Sequence, residues 1–345
     1  MTITATGKLP TLSSSAKLVA YGAPALQDVV IGVELPNTMK AYAKVETAVG
    51  SFKLVKTSED GKVSGVKFHI SGNGIEKDVK TGADGTITVD NLTVGVYTIT
   101  EQPEDYYVQP SAQKVTIVSG RTATVTFSNE LKRSSLEVTK DSEDGMNEGV
   151  TFHLYGTSQS GHKVDEYAVT GADGIARFEN VLISSAKGYT LEEVDTKEYY
   201  IVPAAQTVTV EWNKVAKHTV RNELKRGDLS VTKSSEDGMN SNVTFKLSGT
   251  SLSGAAVMAY SVTDENGVAV FKDILISDAD GYTLEEVETA LKYVVPKSQT
   301  LPIYWNDVTK TTVTNVLKKF CVQVDKTDIE RMNAQGDATL AGAVY

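Results

Sequence analysis

The chain has 345 residues, enough for several domains that each bury a core. A net charge of −10 leaves no basic surface for nucleic acid or an anionic membrane, and no stretch nears the roughly 18 consecutive apolar residues of a membrane span. Its single cysteine, Cys321, excludes an internal disulfide, so a chain working outside the cell needs another brace.

The opening MTITATGKLPTLSSS is small-residue rich and polar, without the apolar core of a secretory signal. Residues 1–50 read as a leader followed by a candidate end of a preceding domain. From 51 to 133, runs such as VKFHISG, VYTITEQ and TVTFSNELK alternate apolar and polar residues with period two, the signature of half-buried strands. Residues 134–226 and 227–319 repeat that order more closely: VTFHLYGTS and VTFKLSGTS, GYTLEEVDT and GYTLEEVET, WNKVAKHTVRN and WNDVTKTTVTN. Lys140 and Lys233 stand 93 residues apart, as do Trp212 and Trp305, and Asn222 and Asn315. TGADG and DENG mark tight turns between strands, and LISSAKGY and LISDADGY have room for one helical turn. Residues 320–345 open a fourth copy with FCVQVDKTD and stop after LAGAVY, so they read as a truncated start within a fragment of something longer. About seven short strands per repeat predict an all-β chain of three tandem Ig-like sandwiches, an elongated rod with partial domains at both ends.

The alternation also assigns faces. Phe52, Leu54 and Lys56 are in phase, as are Leu136, Val138 and Lys140, then Leu229, Val231 and Lys233, and finally Phe320, Val322, Val324 and Lys326. A lysine therefore points into each core. In the last strand of each repeat Asn129, Asn222 and Asn315 share the apolar face, and in a middle strand Glu101, Glu193 and Glu286 do. The neighbouring Glu192 and Glu285 face solvent. Burial neutralises lysine and glutamate. A neutral amine is a nucleophile, the asparagine amide carbon an electrophile, and a protonated glutamate polarises the amide and moves protons. Held together away from water, the three can expel ammonia and join lysine to asparagine through an isopeptide bond. The plainer alternative is a buried Lys–Glu ion pair with a hydrogen-bonded asparagine. Three in-phase copies favour the bond.

These residues resemble the B-type repeats of the collagen-adhesin class (CnaB-like, also called SpaA-type or prealbumin-like). That family places lysine at the end of the first strand, glutamate after a G-x-Y-x-L-x-E-like stretch, and asparagine before E-L in the last strand. The resemblance spans 51 to about 345. It implies Lys56–Asn129, Lys140–Asn222 and Lys233–Asn315 cross-links promoted by Glu101, Glu193 and Glu286, with Lys326 unreacted. It further implies a stalk of a cell-wall-anchored Gram-positive surface adhesin, cross-linked for mechanical and proteolytic resistance, acting once on itself and not as an enzyme. A pilin shaft subunit, or an accessory module of a secreted carbohydrate-active protein, are the alternatives. Expected partners are a host or matrix ligand bound through parts outside this chain, with no nucleic acid, no membrane insertion and a monomeric state.

Each asparagine precedes the next lysine by 11 residues, and counting back 11 from Lys56 reaches Val45. LPNTM at Leu35 lacks the glycine of the sortase signal LPxTG and reads as chance. His69, His153, His162 and His218 share no ligand spacing, so neither metal nor cofactor is expected; His69 and His153 read as solvated. SEDG reads as a solvated turn, Trp212 and Trp305 as packed beside hairpins, and Cys321 as exposed.

Overall fold

The computed structural model describes residues 48–324 and, before them, the backbone of three antiparallel strands, Lys17–Tyr21, Asp28–Glu34 and Lys40–Glu46. Val45 falls on the last of these. The polar opening segment and Lys326 lie outside the described residues. Among the described residues every regular element is a strand, and no helix is long and apolar enough to cross a membrane. Two compact units result. The first takes the described residues up to Lys140, with Asn147–Val194 and Ala204–Val220; the second takes Asp141–Met146, Asp195–Pro203 and the described residues from Arg221 onward.

In the first unit, the opening strand Val49–Ser58 lies between the closing strand Thr122–Asn129 and Thr86–Thr93. A second sheet runs Ile75–Lys80, Lys67–Gly72, Gly95–Gln102, Gln113–Ile117. The inner faces of the two sheets meet in a core of Phe52, Leu54, Phe68, Ile70, Tyr97, Ile99 and Phe127. This is the consequence of period-two alternation: each strand presents one apolar face, and two such faces must cover one another. The same unit holds a second core around Leu136, Val138, Phe152, Leu154, Phe178, Tyr189 and Leu191. In the second unit, Arg226–Ser235 lies between Val268–Leu275 and Val308–Leu317. Its facing sheet runs Ala256–Val262, Thr244–Thr250, Tyr282–Val287, Gln299–Leu301. The buried cluster there is Leu229, Val231, Phe245, Leu247, Phe271, Tyr282 and Leu284.

Two registers place the candidate site. The closing strand pairs with the opening strand in parallel, setting Phe127 beside Lys56 and Asn129 beside Ser58. In the second unit Val313 lies beside Lys233 and Asn315 beside Ser235. Lysine and asparagine therefore sit on adjacent strands, two residues apart, on one face. On the facing sheet Glu101 pairs with Phe68, Glu193 with Phe152 and Glu286 with Phe245. The lysine backbone is fixed from the other side, where its N–H donates to Gly85 O at 2.8 Å, Gly174 O at 2.8 Å or Gly267 O at 2.7 Å. These glycines end the Asp-Gly turns of the first two repeats and the Asn-Gly turn of the third, with φ of +74°, +69° and +76°, a conformation that a side chain strains.

One expectation fails. LISSAKGY forms a turn with Ser184 bridged to Ser158, not a helical turn. FCVQV, read as the start of a truncated repeat with no core of its own to join, is irregular over residues 320–324, with Phe320 86% and Val322 71% exposed. The phase was there, but no strand among the described residues lies opposite to bury it. Cys321 beside them is exposed, as expected.

Candidate functional site

Lys56 ends its apolar face on the opening strand, Glu101 lies on the facing sheet and Asn129 closes the last strand; all three are buried. One carboxylate serves both partners. Glu101 Oε2 is 3.5 Å from Lys56 Nζ, and Glu101 Oε1 accepts a hydrogen bond from Asn129 Nδ2 at 2.6 Å. Lys56 Nζ also donates to Thr57 O at 2.6 Å. The third repeat builds the same arrangement: Glu286 Oε2 is 3.4 Å from Lys233 Nζ, Glu286 Oε1 accepts from Asn315 Nδ2 at 2.8 Å, and Lys233 Nζ donates to Val313 O at 3.4 Å. In the second repeat Lys140 Nζ is 3.5 Å from Glu193 Oε2 and donates to Val220 O at 3.4 Å, and Asn222 is buried at the end of its strand. The side chains of Lys56, Lys140 and Lys233 have no exposed surface.

Burial dominates the electrostatics. It pulls the Lys56 and Lys233 amines below the ordinary lysine range, against the opposing charges of Glu101 and Glu286. Burial also raises the Glu101 carboxyl, although the Asn129 hydrogen bond and Lys56 act the other way. Both shifts favour the uncharged pair. The Oδ1 atoms of Asn129 and Asn315 are buried without a hydrogen-bond partner among the described residues. A half-turn of the amide would offer that oxygen to a protonated glutamate. As placed, the carboxylate spans the amine nitrogen and the amide nitrogen, one oxygen to each.

The alternate glutamates point elsewhere. Glu192, 35% exposed, reaches His153 Nδ1 at 3.2 Å and accepts from the Tyr155 hydroxyl at 3.4 Å. Glu285, 48% exposed, lies 3.6 Å from Lys246 Nζ. His69 bridges Asp78 and Glu76 at 2.8 and 2.6 Å at the surface. His153 is not simply solvated: its ring stacks on Tyr167 at 4.2 Å, between Asp165 and Glu192. Among the described residues no group of three such side chains is arranged to hold a metal ion. Trp212 and Trp305 stay partly exposed, with Lys132 Nζ 4.7 Å and Lys225 Nζ 4.9 Å from their ring centres.

The SEDG turns are solvated, as read, with their glutamates 37–38% exposed, but their carboxylates also bind protein groups. Glu59 accepts the Leu131 N–H at 2.9 Å and pairs with Arg133; Glu143 does so with Leu224 at 2.8 Å and Arg226; Glu236 with Leu317 at 2.8 Å and Lys319. Next to them, Asp60 accepts the Tyr107 hydroxyl at 2.8 Å, Asp144 that of Tyr200 at 2.6 Å and Asp237 that of Tyr293 at 2.7 Å. Their signal in the sequence was the copying itself: SEDG occurs three times, and its aspartate precedes the tyrosine by 47, 56 and 56 residues.

Comparison with known proteins follows the same lines. The family model described as "SpaA: Prealbumin-like fold domain" matches residues 50–131 and 134–224, half of the chain. The chain belongs to the SpaA prealbumin-like family. Its fold is accordingly a tandem array of all-β prealbumin-like sandwiches. Among solved structures, the SpaA-type chain is similar to the Bacillus anthracis TIE protein, at 23% identity and a TM-score of 0.59 over 87% of this chain. It spans 59% of that protein's length. Other similar structures are BcpA, the major pilin subunit of Bacillus cereus (17% identity, TM-score 0.43, 78% of this chain and 100% of that one), and the shaft pilin SpaA of Lactobacillus rhamnosus GG (14%, 0.24, 55% and 100%). No curated protein matches the chain.

Proposed function

We propose that this chain is a structural segment of a Gram-positive surface protein, a stalk or shaft whose SpaA-type repeats brace themselves with Lys–Asn isopeptide bonds. The observation that supports it is the shared carboxylate: Glu101 and Glu286 each hold a buried amine and a buried amide at once. The neutral amine of Lys56 attacks Cγ of Asn129, the Nζ–Cγ bond forms and the Cγ–Nδ2 bond breaks. Glu101 takes a proton from the amine on Oε2 and delivers one to the departing nitrogen from Oε1, so ammonia leaves and the carboxyl is restored. Proximity in a dry core replaces a cofactor. Lys233, Glu286 and Asn315 perform the same step, and the sequence pattern extends it to Lys140, Glu193 and Asn222. The chain acts once on itself and turns over no external substrate, and its place is the cell surface. A plain buried ion pair is the competing reading, but such a pair gains little over apolar residues of similar size.

Intact-mass measurement tests this. The chain should be lighter than its sequence by three ammonia molecules, with peptides bridging Lys56–Asn129, Lys140–Asn222 and Lys233–Asn315. A mass equal to the sequence value would overturn the reading.

A further inference from the structure

We infer that the tyrosine–aspartate contact beside each cross-linking set is a positioning latch, which aligns lysine with asparagine before the bond forms. This inference rests on the cross-linking function proposed above. The first repeat shows the parts. Asp60 lies four residues after Lys56, in the turn that ends the opening strand, and its carboxylate has no exposed surface. It accepts hydrogen bonds from the Tyr107 hydroxyl at 2.8 and 2.9 Å, the Ser58 hydroxyl at 2.6 Å and the Lys62 N–H at 3.2 Å. Ser58 is the residue paired with Asn129, and Tyr107 is bridged to Leu131, two residues beyond Asn129. The Asn129 carbonyl in turn accepts the Glu59 N–H at 3.0 Å. The latch thus ties the chain just after the lysine to the chain just after the asparagine, without touching either reacting group.

The third repeat repeats the tyrosine and the turn N–H but not the serine, since Ser235 Oγ donates to Met239 O and Asp237, 23% exposed, pairs with Lys292 at 2.5 Å. Asp237 accepts from the Tyr293 hydroxyl at 2.7 and 3.0 Å and from the Met239 N–H at 3.2 Å. Tyr293 pairs with Leu317, and the Asn315 carbonyl accepts the Glu236 N–H at 3.0 Å. In the second repeat Tyr200 reaches Asp144 at 2.6 Å and is bridged to Leu224. The aspartate–tyrosine contact recurs in three copies, and where its carboxylate is fully buried, as at Asp60, it is costly unless it fixes something. Parallel strands alone leave the relative slide of lysine and asparagine soft, and a misplacement of about 1 Å slows a proximity-driven step by up to roughly a hundredfold. Tyr107 and Asn129 also line one surface cleft of about 350 Å³ with Gln102 and Pro103. The Asp60 charge also reaches Lys56, which agrees with their closeness.

The test follows bond formation in the full chain made by cell-free synthesis, with samples quenched in denaturant and the bridging peptides quantified over time. Tyr293→Phe keeps the ring and removes the hydroxyl. It should slow closure of Lys233–Asn315 by roughly tenfold or more, while Lys56–Asn129 in the same molecules keeps its wild-type rate and serves as the clock. Tyr107→Phe should reverse the pattern. A general loss of folding is separated by adding Tyr293→Phe to Glu286→Ala, which cannot close. If that double variant is fully folded under the assay conditions, a slower rate reports alignment. A rate reduced only in proportion to lost folded protein would overturn the latch. Full-speed closure in Tyr293→Phe would overturn it alone, leaving the cross-link intact. A wild-type chain with no bridging peptide would overturn both.

Discussion

At the scale of single residues, Glu286 and Glu285 are adjacent in sequence but opposite in environment. One is shared by Lys233 and Asn315; the other sits half-exposed near Lys246. Glu286→Ala should therefore abolish the bond in its repeat, and Glu285→Ala should leave it; Glu193→Ala and Glu192→Ala should divide in the same way. Peptide mapping of the four variants decides this, and a bond surviving Glu286→Ala but not Glu285→Ala would mean that the facing strand reads one residue out of register. Glu286→Ala also strands the Lys233 amine in the core, at about 3 kcal/mol or more, whereas the exposed Glu285 pair is worth about 1 kcal/mol at most. Acid behaviour follows from the latch. Burial alone would raise the Asp60 carboxyl, but the Ser58 and Tyr107 hydroxyls and the Lys62 N–H outweigh it and hold it at about 2. A depressed carboxyl stabilises the fold above its unfolded value near 3.9 and loses that contribution as pH falls toward its folded one. Carboxyl titration by NMR should place Asp60 near 2, and Tyr107→Phe should move it back toward about 4.

At the scale of elements, the opening strand of the third repeat is held on three sides: by its parallel neighbour, by the facing sheet and by the Asn-Gly turn over the lysine. Gly267 makes that turn possible. A Cβ there would sit 2.7 Å from Asn240 Cβ and 3.3 Å from Lys233 O, at a φ of +76°. Gly238 has the same φ and open space around it. In the Glu286→Ala background, Gly267→Ala should thus cost about 2–3 kcal/mol and Gly238→Ala about 1 kcal/mol, read from urea unfolding. Equal losses would mean the turn yields without disturbing the lysine. The sandwiches and the lysine, glutamate and asparagine of each repeat were legible in the sequence because strand alternation is a local rule: a polar residue in an apolar phase must face the core. The latch was not, because SEDG reads alike whether its aspartate meets water or, as in the first repeat, a tyrosine hydroxyl 47 residues away. His153 was misread for the same reason, since Tyr155 and Tyr167 cover it from the outer face, where alternation promises only solvent. FCVQV marks the limit of that rule, for phase creates an apolar face without supplying its cover.

At the scale of the whole molecule, three closures would act on the unfolded chain as disulfides do, without redox sensitivity. Each encloses about 70–80 residues, which restricts the unfolded state by roughly 4 kcal/mol per repeat. The triple variant Glu101→Ala, Glu193→Ala, Glu286→Ala should accordingly melt roughly 15 °C or more below the wild type. Calorimetry with and without dithiothreitol checks both halves: the reductant should change neither curve, and coincident melting of the two proteins would remove the covalent brace. The parallel register of the opening and closing strands has a further consequence. A chain pulled from its ends would enter the first repeat at Val49, cross at Lys56 to Asn129 and leave past Leu131, so the residues between them would never come under load. Fully drawn out, that bypassed loop would be roughly 240 Å of hidden length. A sandwich without the bond would release it and absorb the blow; a bonded one would keep it folded away and pass the whole jolt to whatever it is tied to.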